Sequence, residues 1–302
     1  MDRRRYYSEL DDSDRWDAVA LRPGDIVISA QSKTGTTWTQ MICALLVFQT
    51  PALPAPLTAL SPWVDMRIRP INDVVKQLEA QEHRRFLKTH TALDGLPMHD
   101  TVTYIAVARH PLDAGVSKLH QQSNLRYDVI ERLVEKADGG VWDDDEEHAE
   151  PAPLRDRLLQ WINDDSGAEA GFGLAGFVRQ ARIAWERRAE ANVVLLHYAD
   201  LTRDLEGQMR LLAQRLDIAV VESSWPQLVD AARFTTMKRR SAALVPDERL
   251  GILKNTDEFF RSGASEQWGE VLTAEDVDQY RQRVKTMCPP DLLSWLTSGT
   301  AS

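Results

Sequence analysis

One stretch of the chain, Asp25-Ile-Val-Ile-Ser-Ala-Gln-Ser-Lys-Thr-Gly-Thr-Thr-Trp38, is the most informative about its architecture. The first six residues form an apolar run with β-branched side chains, which is typical of a buried strand. A short polar loop follows, and residues 36–48 are apolar enough to form a helix. A strand that leads through a loop into a helix predicts an anion site, because the helix N-terminus attracts negative charge.

The side chains of this loop suit the same purpose. Gly35 allows the backbone to approach an anion closely, Lys33 adds a positive charge, and Thr36 and Thr37 add hydroxyl donors. The loop differs from the pattern G-x-x-x-x-G-K-[ST] of nucleotide-binding proteins, in which the lysine follows the second glycine. Taken alone, the stretch is also compatible with an ordinary strand-to-helix turn that carries a surface lysine.

Length and composition limit the class of protein. The 302 residues, of which 43% are hydrophobic, suffice for one large domain or two small ones. The formal net charge of −10 argues against general affinity for nucleic acid or anionic membranes. Because no linker with a distinct composition is visible, we expect a single domain over residues 1–302.

Location is inferred from the N-terminus, the apolar runs and the cysteines. The basic N-terminal residues are not followed by the apolar core of a signal peptide, and the longest apolar run, residues 41–48, is too short to span a bilayer. Cys43 and Cys288 cannot form a disulfide framework and are expected to be reduced. We therefore expect a cytoplasmic protein without an integral membrane segment.

Strand and helix patterns alternate along the chain. Strands are predicted at residues 25–30, 85–88, 102–108 and 192–197. Helices are predicted at residues 36–48, 72–81, 112–122, 127–137, 154–162, 174–191, 201–216 and 274–287. This alternation predicts the α/β class, with a central parallel sheet flanked by helices and with ligands bound at the carboxyl edge of the strands.

Two stretches are expected to be irregular. Residues 50–56 contain three prolines and cannot be helical, and residues 138–153 are acidic and rich in glycine and proline. The second stretch is most simply a solvated loop. A lid over the substrate, formed by residues 51–62 together with residues 138–153, is the alternative.

A second anion site is predicted after the strand at residues 102–108. Arg109 stands at the carboxyl end of that strand, where its planar guanidinium can grip a phosphate. Pro111 suits the start of the following helix, and Ser117 lies about two turns into it. Two strand ends that each supply a cation and hydroxyl groups fit a ligand with two separate anionic groups.

These motifs resemble those of the sulfotransferase family that uses 3′-phosphoadenosine 5′-phosphosulfate (PAPS). Ser32-Lys-Thr-Gly-Thr-Thr-Trp38 is similar to the family's 5′-phosphosulfate loop, Pro-Lys-Ser-Gly-Thr-Thr-Trp, and Arg109 with Ser117 matches its 3′-phosphate motif. Phe86-Leu-Lys-Thr-His90 matches a strand end that carries Lys-Thr-His. Phe259-Phe-Arg-Ser-Gly263 resembles the C-terminal Arg-Lys-Gly motif. The resemblance covers residues 25–285 and implies the P-loop-NTPase-like architecture of that family.

The resemblance also implies which residues bind the donor PAPS. The loop, including Lys33 and the amides of Gly35, Thr36 and Thr37, is expected to hold the 5′-phosphosulfate, and Arg109 with Ser117 the 3′-phosphate. Trp38 is expected to stack on the adenine, with a buried core tryptophan as the alternative. The remaining residues expected at the donor site are Thr34, Tyr198, Phe234, Arg261, Ser262 and Gly263.

Three residues are expected to carry the chemistry. His90 is expected to remove a proton from the acceptor group, because an ordinary histidine pKa near 6.5 suits a general base. The alternative is a core histidine whose hydrogen bonds are satisfied. Lys33 and Lys88 are expected to stabilise the charge that develops as the sulfonyl group is transferred in line to a hydroxyl or amine. No cluster of ligating side chains has metal-binding spacing, so no metal is predicted.

The chain departs from the family pattern at two places. Ser262 stands where the family has lysine, which predicts weaker binding of PAPS unless Lys238, Arg239 or Arg240 compensates; a solvated basic run is the alternative for these three. The family's dimer motif is degraded at residues 269–274, so dimerisation through that segment is not expected.

The acceptor is less defined than the donor. A hydroxylated small molecule, a phenol, or a lipid or glycolipid is expected, because several aromatic residues could line an apolar pocket: Phe48, Trp63, Trp142, Trp161 and Phe172. The alternative functions are a P-loop-like kinase or phosphotransferase and a non-catalytic module that binds an adenine nucleotide. The missing Walker lysine argues against the kinase, and the presence of Lys33, Lys88 and His90 argues against the non-catalytic module.

Overall fold

A parallel sheet of four strands forms the centre of the molecule. The structure is a computed structural model that describes residues 3–139, 152–165, 173–244 and 250–300. The strands are β1 (Ile26–Ala30), β2 (Phe86–Thr89), β3 (Thr103–Ala108) and β4 (Val193–His197), in the order β2-β1-β3-β4. Each pairs with its neighbour in parallel, which confirms the predicted α/β class. Each predicted strand begins one residue before the observed one.

Helices cover both faces of the sheet. In chain order they are α1 (Thr36–Phe48), α2 (Leu57–Leu60), α3 (Ile71–Glu79), α4 (Pro111–Asn124), α5 (Tyr127–Asp138), α6 (Leu154–Asn163), α7 (Gly173–Glu186), α8 (Tyr198–Arg203), α9 (Leu205–Arg215), α10 (Trp225–Ala232), α11 (Phe234–Arg239), α12 (Ser241–Leu244), α13 (Ala274–Met287) and α14 (Pro290–Ser298). Short 3₁₀ segments lie at Ser13–Ala18, Leu93–Gly95, Glu222–Ser224, Asp257–Phe260 and Gln267–Glu270.

The alternation of side chains along β1 explains how the sheet is held between the helices. All five residues of β1 are buried. Ile26 and Ile28 pack with α1 residues such as Met41 on one face, whereas Val27 packs with Leu87 on the other. Successive side chains of a strand point to opposite faces, so an entirely apolar strand is stable only when both faces are covered. The apolar run at residues 25–30 is therefore the signature of the central strand.

The predicted helix at residues 201–216 is wrong as a single element. The chain forms α8 and α9, which are separated at Asp204, because the Asp204 carboxylate accepts a hydrogen bond of 2.9 Å from the Gly207 N–H and begins a new helix. The predicted helix at 174–191 ends at Glu186. Helices α2, α10, α11, α12 and α14 were not predicted; α10 and α14 carry a proline in their first turn, which favours a helix start.

The proline-rich stretch is irregular as predicted, but it does not cover the substrate cavity described below. Pro56 precedes α2, and Leu57 and Leu60 of that helix pack into the core beside α1. None of residues 51–62 lines the cavity, and some of them, such as Pro54 and Thr58, line a separate groove, so the structure does not support the lid predicted for this stretch. Most of the acidic stretch 138–153 lies outside the described residues.

No helix in the described part of the chain is long and apolar enough to cross a membrane. Cys43 and Cys288 are both buried free thiols. The extension of a single domain over residues 1–302 stays a prediction.

Candidate active site

The carboxyl ends of the strands open into one cavity of about 450 Å³. The register pairs Ala30 of β1 with Val107 of β3, and Ala108 with His197 of β4, so the loops after these strands meet at one edge. Predicted site residues that line this cavity are Lys33, Gly35, Thr36, Thr37, Trp38, Lys88, His90, Arg109, Ser117, Tyr198, Phe234, Arg261, Ser262 and Gly263.

The loop between β1 and α1 has the backbone conformation of an anion cradle. Lys33 and Gly35 adopt left-handed φ angles of 68° and 113°, and α1 begins at Thr36 without a side-chain cap. A Cβ atom at Gly35 would lie 3.3 Å from the Tyr198 ring, so glycine is required both for φ and for space. The Thr36 hydroxyl is buried and has no hydrogen-bond partner among the described residues. The helix start is thus ready to donate to a ligand.

Thr34 is the one predicted donor-site residue whose side chain the structure does not bring into the cavity. It is fully buried, its hydroxyl donates to the Gln31 carbonyl at 2.7 Å, and its N–H donates to the same carbonyl at 3.3 Å. Its role in the fold is to close the loop on itself, and this holds Lys33 and Gly35 in their left-handed conformations.

Lys33 reaches across the cavity. Its ammonium lies 3.3 Å from the amide oxygen of Gln121 and 4.6 Å from the centre of the Phe259 ring. Burial, followed by the positive charges of Arg109 and Arg261, lowers the pKa of Lys33 to about 8. The charges of two arginines that lower the pKa of a buried lysine indicate a site for an anion, because an anion beside Lys33 would relieve this repulsion.

Arg109 is fixed by backbone carbonyls and by an aromatic ring. Its terminal nitrogens donate to the Lys33 carbonyl at 3.3 Å and to the Ala264 carbonyl at 3.0 Å. The guanidinium lies 4.2 Å from the centre of the Tyr198 ring. The buried Nε has no hydrogen-bond partner in the described part of the chain, so this arginine retains a donor for a ligand.

Lys88 and His90 lie beside Trp63 at the end of β2. The Lys88 ammonium is 3.4 Å from the Trp63 ring centre, and the His90 ring meets the same indole edge-on at 4.5 Å. Burial lowers the pKa of Lys88 to about 7. Burial and then the Lys88 charge lower the pKa of His90 to about 3. At slightly alkaline pH both values favour neutral side chains in the ligand-free site.

The hydrogen bond of His90 determines its tautomer. Nδ1 of His90 contacts the carbonyl oxygen of Ala30. A carbonyl only accepts hydrogen bonds, so Nδ1 carries the proton of the neutral ring and Nε2 is left as the acceptor. An imidazole with an available Nε2 can take a proton from an acceptor hydroxyl.

Asp65 positions the strand end that carries His90. One oxygen of this fully buried carboxylate accepts hydrogen bonds from the Thr89 hydroxyl at 2.5 Å, the His90 N–H at 3.2 Å and the Thr91 N–H at 3.1 Å. The Thr91 hydroxyl donates to the same oxygen at 2.7 Å. Several donors on one carboxylate hold the turn after β2 rigidly, so the direction of the His90 side chain is determined before any ligand binds.

Aromatic residues form the wall nearest α1. Trp38 is buried, its indole N–H donates to the Ala232 carbonyl at 2.8 Å, and its ring meets Tyr198 edge-on at 5.1 Å. Gly263, with φ of 67°, packs so closely on Phe234 that a Cβ atom would lie 2.8 Å from that ring. Trp38 therefore lines the cavity and is also part of the core. The structure is compatible with both interpretations that the sequence left open, a residue that stacks on adenine and a buried core tryptophan.

The basic run after α10 does not replace the missing lysine. Lys238 is exposed and donates to the Arg261 carbonyl at 2.7 Å, whereas Arg239 and Arg240 bond to Thr236 and to the Pro51 carbonyl. None of the three cations lines the cavity. These contacts favour the alternative of a basic run outside the cavity over compensation at Ser262.

Several cavity residues were missed by sequence reasoning. The segment at residues 6–11 forms one wall, and Lys118 and His120 of α4 face the interior. Of the proposed aromatic lining residues, Trp63 lies in the cavity, whereas Phe48 and Trp161 pack in the core. Trp142 and Phe172 lie outside the described residues. His120 lies three residues after Ser117 and so shares its helix face, which was the available sequence signal on α4. Lys118 and residues 6–11 carry no such signal, and residues 6–11 reach the site through contacts distant in sequence.

The described ranges contain no group of three or more His, Cys, Asp or Glu side chains arranged to hold a metal ion. A reaction without a metal stays a prediction.

The fold and the site together define a class of protein. It is a P-loop-like α/β protein in which two strand ends that carry cations open into one cavity. The chain belongs to the sulfotransferase family: the sulfotransferase domain matches residues 23–288. The prediction of a PAPS-dependent sulfotransferase is thereby confirmed at the level of the enzyme class.

Relatives and solved structures agree with this assignment. The chain is 40% identical to a glycolipid sulfotransferase of Mycobacterium bovis, over 99% of this chain and 95% of that protein. It is 23% identical to sulfotransferase 1 family member D1 of Rattus norvegicus, over 89% and 86% of the two chains. Retinol dehydratase in a complex with retinol and PAP superposes with a TM-score of 0.69 at 21% identity, over 91% of this chain and 83% of that one. This likeness confirms the fold.

Proposed function

We propose that this protein transfers the sulfonyl group of PAPS to a hydroxyl group of a glycolipid. The observation that carries the proposal is the single cavity in which a left-handed loop, the start of α1 and the cations Lys33, Lys88 and Arg109 converge beside His90. The glycolipid acceptor is supported by the 40% identical mycobacterial relative, and the donor by the PAP that the retinol dehydratase structure contains.

The residues present fit such a donor. The buried Thr36 hydroxyl and the Arg109 Nε each lack a partner among the described residues, and both belong to residues that line the cavity. Lys33 and the amides of Gly35, Thr36 and Thr37 would hold the 5′ end, which supplies the sulfonyl group. Arg109 with Ser117 would hold the 3′-phosphate, and the walls of Trp38, Tyr198 and Phe234 suit an adenine.

His90 acts as the general base in this proposal. Its Nδ1 proton is engaged by the Ala30 carbonyl, so Nε2 receives the proton of the acceptor hydroxyl. Bound negative charge next to Lys88 and His90 opposes the Lys88 charge and raises the pKa of the imidazole from its low value towards the ordinary range. The base is therefore strengthened when the donor is in place.

Lys33 and Lys88 stabilise negative charge at the transferring group. Both are depressed in pKa by burial, so they are close to titrating near neutrality. An anion beside them favours their charged forms, and in a buried site a charge acts over short distances with little screening. Lys33 lies in the loop after β1 and Lys88 near the end of the neighbouring strand β2, so cations from two adjacent strand ends can act on the same group.

The test is a transfer assay with ³⁵S-labelled PAPS and a purified glycolipid. We expect labelled glycolipid, identified by mass spectrometry, and unchanged turnover when a chelator is added. A matched reaction with γ-labelled ATP separates the kinase alternative: transfer of label from ATP, and none from PAPS, would contradict the proposal. Binding of PAP without transfer to any hydroxylated acceptor would favour the non-catalytic module instead. The cytoplasmic location remains a prediction.

A further inference from the structure

Asp11 stands on a wall of the cavity that no part of the proposed reaction uses. Its N–H donates to the Ser8 hydroxyl at 3.0 Å and its carbonyl accepts from the Ser8 N–H at 2.8 Å. Asp11 also pairs with Met66 in an antiparallel bridge, while the Arg67 side chain donates to the Ser8 and Glu9 carbonyls. The segment is thus clamped to residues 65–67, so the Asp11 side chain projects from a rigid backbone.

The Asp11 carboxylate carries an unused hydrogen-bonding atom. Its Oδ1 is shielded from solvent, has no hydrogen-bond partner among the described residues, and belongs to a residue that lines the cavity. Burial and the nearby negative charge of Asp65 raise the pKa of Asp11 to about 7, against the positive charges of Lys88 and Lys118. A shielded carboxylate oxygen without a donor is unfavourable, and a ligand that donates a hydrogen bond would relieve this cost.

Backbone contacts place Asp11 beside the strand end that carries Lys88 and His90. Asp11 pairs with Met66, the N–H of the next residue donates to the Asp65 carbonyl at 2.9 Å, and the Asp65 carboxylate accepts from the His90 N–H at 3.2 Å. The negative charge of Asp11 acts on the pKa of both Lys88 and Lys118. Asp11 and Lys118 therefore share the cavity with the proposed base, His90, beside which an acceptor would be held.

The cavity becomes apolar next to this pair of charges. Met66, Ile130 and Ile252 line it, and they belong to one small hydrophobic cluster with Leu125 at its edge. A polar position between the reacting centre and an apolar wall suits an amphiphile whose headgroup enters first and whose hydrocarbon part stays on the apolar side.

We propose that Asp11 and Lys118 form a headgroup subsite that binds a second, non-reacting hydroxyl of a polyhydroxylated acceptor such as a sugar. A hydroxyl can donate to Asp11 and accept from Lys118, whereas an ammonium can only donate and would be repelled by Lys88 and Lys118. The inference rests on the proposed function, because it names the chemical feature by which the same site would recognise its acceptor.

The test compares two probes with the same alkyl chain: n-octyl β-D-glucopyranoside, below its critical micelle concentration, and 1-octanol. Each is titrated by calorimetry into protein saturated with PAP. We expect the wild type to bind the glucoside at least about tenfold more tightly than octanol. Asp11→Asn, which keeps the shape of the side chain but replaces the carboxylate with a neutral amide, should weaken glucoside binding about tenfold, since the hydrogen bond to a charged group becomes one to a neutral group. Octanol binding should change less than about twofold.

Asp14→Asn is the matched control, because Asp14 is an exposed carboxylate on the same segment that pairs with Arg5 and does not line the cavity. It should leave both affinities unchanged. Lys118→Met provides a second variant and should also weaken glucoside binding alone. An equal loss for both probes, no loss in either variant, or a wild type without preference for the glucoside would overturn the inference.

Failure of this inference and failure of the proposed function give different results. If the wild type binds PAP and transfers sulfonate but Asp11→Asn does not distinguish the probes, only the subsite is wrong. If the wild type does not bind PAP, the donor site itself is wrong. If Asp11→Asn does not fold, shown by loss of its melting transition, the wild-type preference and the Lys118→Met result decide.

Discussion

Binding of PAP should be accompanied by proton uptake at alkaline pH. In the ligand-free cavity the pKa of Lys33 is about 8 and that of Lys88 is about 7, both lowered first by burial. Phosphate groups beside these amines favour the ammonium forms and raise both values towards the ordinary 10.5. At a pH above the pKa values of the free protein and below those of the complex, the neutral amines must take up protons when PAP binds.

The size of the effect follows from these values. At pH 8.5 the free Lys33 is roughly a quarter charged and Lys88 almost neutral, so binding should take up about 1.7 protons. At pH 7 Lys33 is already charged and Lys88 about half charged, which leaves about 0.6 protons. The affinity for PAP should accordingly fall as the pH rises through this range, by more than about tenfold per pH unit near pH 8.5.

Calorimetric titrations in buffers of different ionisation enthalpy measure the proton count directly. Lys33→Met should reduce the uptake at pH 8.5 to about one proton, and Lys88→Met to about 0.8, because one titrating amine remains in each. Lys285→Met, which removes an exposed lysine of α13 remote from the cavity, is the matched control and should leave the count unchanged. No uptake at pH 8.5 would refute the argument, because the lysines would then already be charged in the free protein.

Four further substitutions test separate parts of the site. His90→Asn should lower turnover by about 10²–10⁴-fold, the usual contribution of a general base, while PAP affinity stays within about twofold; normal turnover would remove His90 from the mechanism. Arg109→Ala should weaken PAP much more than adenosine 5′-phosphate in titrations, and equal losses would place the 3′-phosphate elsewhere. Ser262→Lys should tighten PAP binding about tenfold, and no change would show that the missing cation is not needed. Asp65→Asn should reduce the free energy of unfolding in urea by about 3 kcal/mol. The same substitution at an exposed acid, Asp73→Asn, should leave that free energy nearly unchanged. A loss below about 1 kcal/mol for Asp65→Asn would contradict the role of Asp65 in holding the turn after β2.

The strands, and the cavity residues that directly follow them, could be predicted because their signals are local. A strand buried on both faces is a continuous apolar run, as in residues 25–30, and the loop that follows it carries its own glycine and lysine. Arg109 and His90 were found for the same reason, since each directly follows such a run. Local patterns of this kind depend only on a few neighbouring residues.

The acceptor half could not be predicted in the same way. Residues 6–11 reach the cavity through contacts distant in sequence, such as the hydrogen bond of 2.6 Å between the hydroxyl of Tyr6 and Asp94. Asp11 lies in a segment without apolar periodicity, so nothing in its surroundings indicates a shielded carboxylate. The split at Asp204 was missed because an apolar periodicity continues across a residue whose side chain caps the next helix.

The departure at Ser262 illustrates the limit of reasoning from a family pattern. The sequence left two interpretations of Lys238, Arg239 and Arg240: compensation for the missing lysine, or a solvated basic run. In the structure their side chains bond to backbone and hydroxyl groups, and none of the three lines the cavity. Contacts between segments distant in sequence distinguish the two interpretations, and a local pattern does not record such contacts.

A titration of the protein with PAP, compared with adenosine 5′-phosphate and adenosine 3′-phosphate, tests most directly whether two strand ends hold the two phosphates of one nucleotide. We expect PAP to bind at least about a hundredfold more tightly than either monophosphate and to raise the melting temperature, because each phosphate makes its own charge-assisted contacts. Absence of heat and of any rise in melting temperature with PAP, or equal affinity for PAP and a monophosphate, would contradict the account.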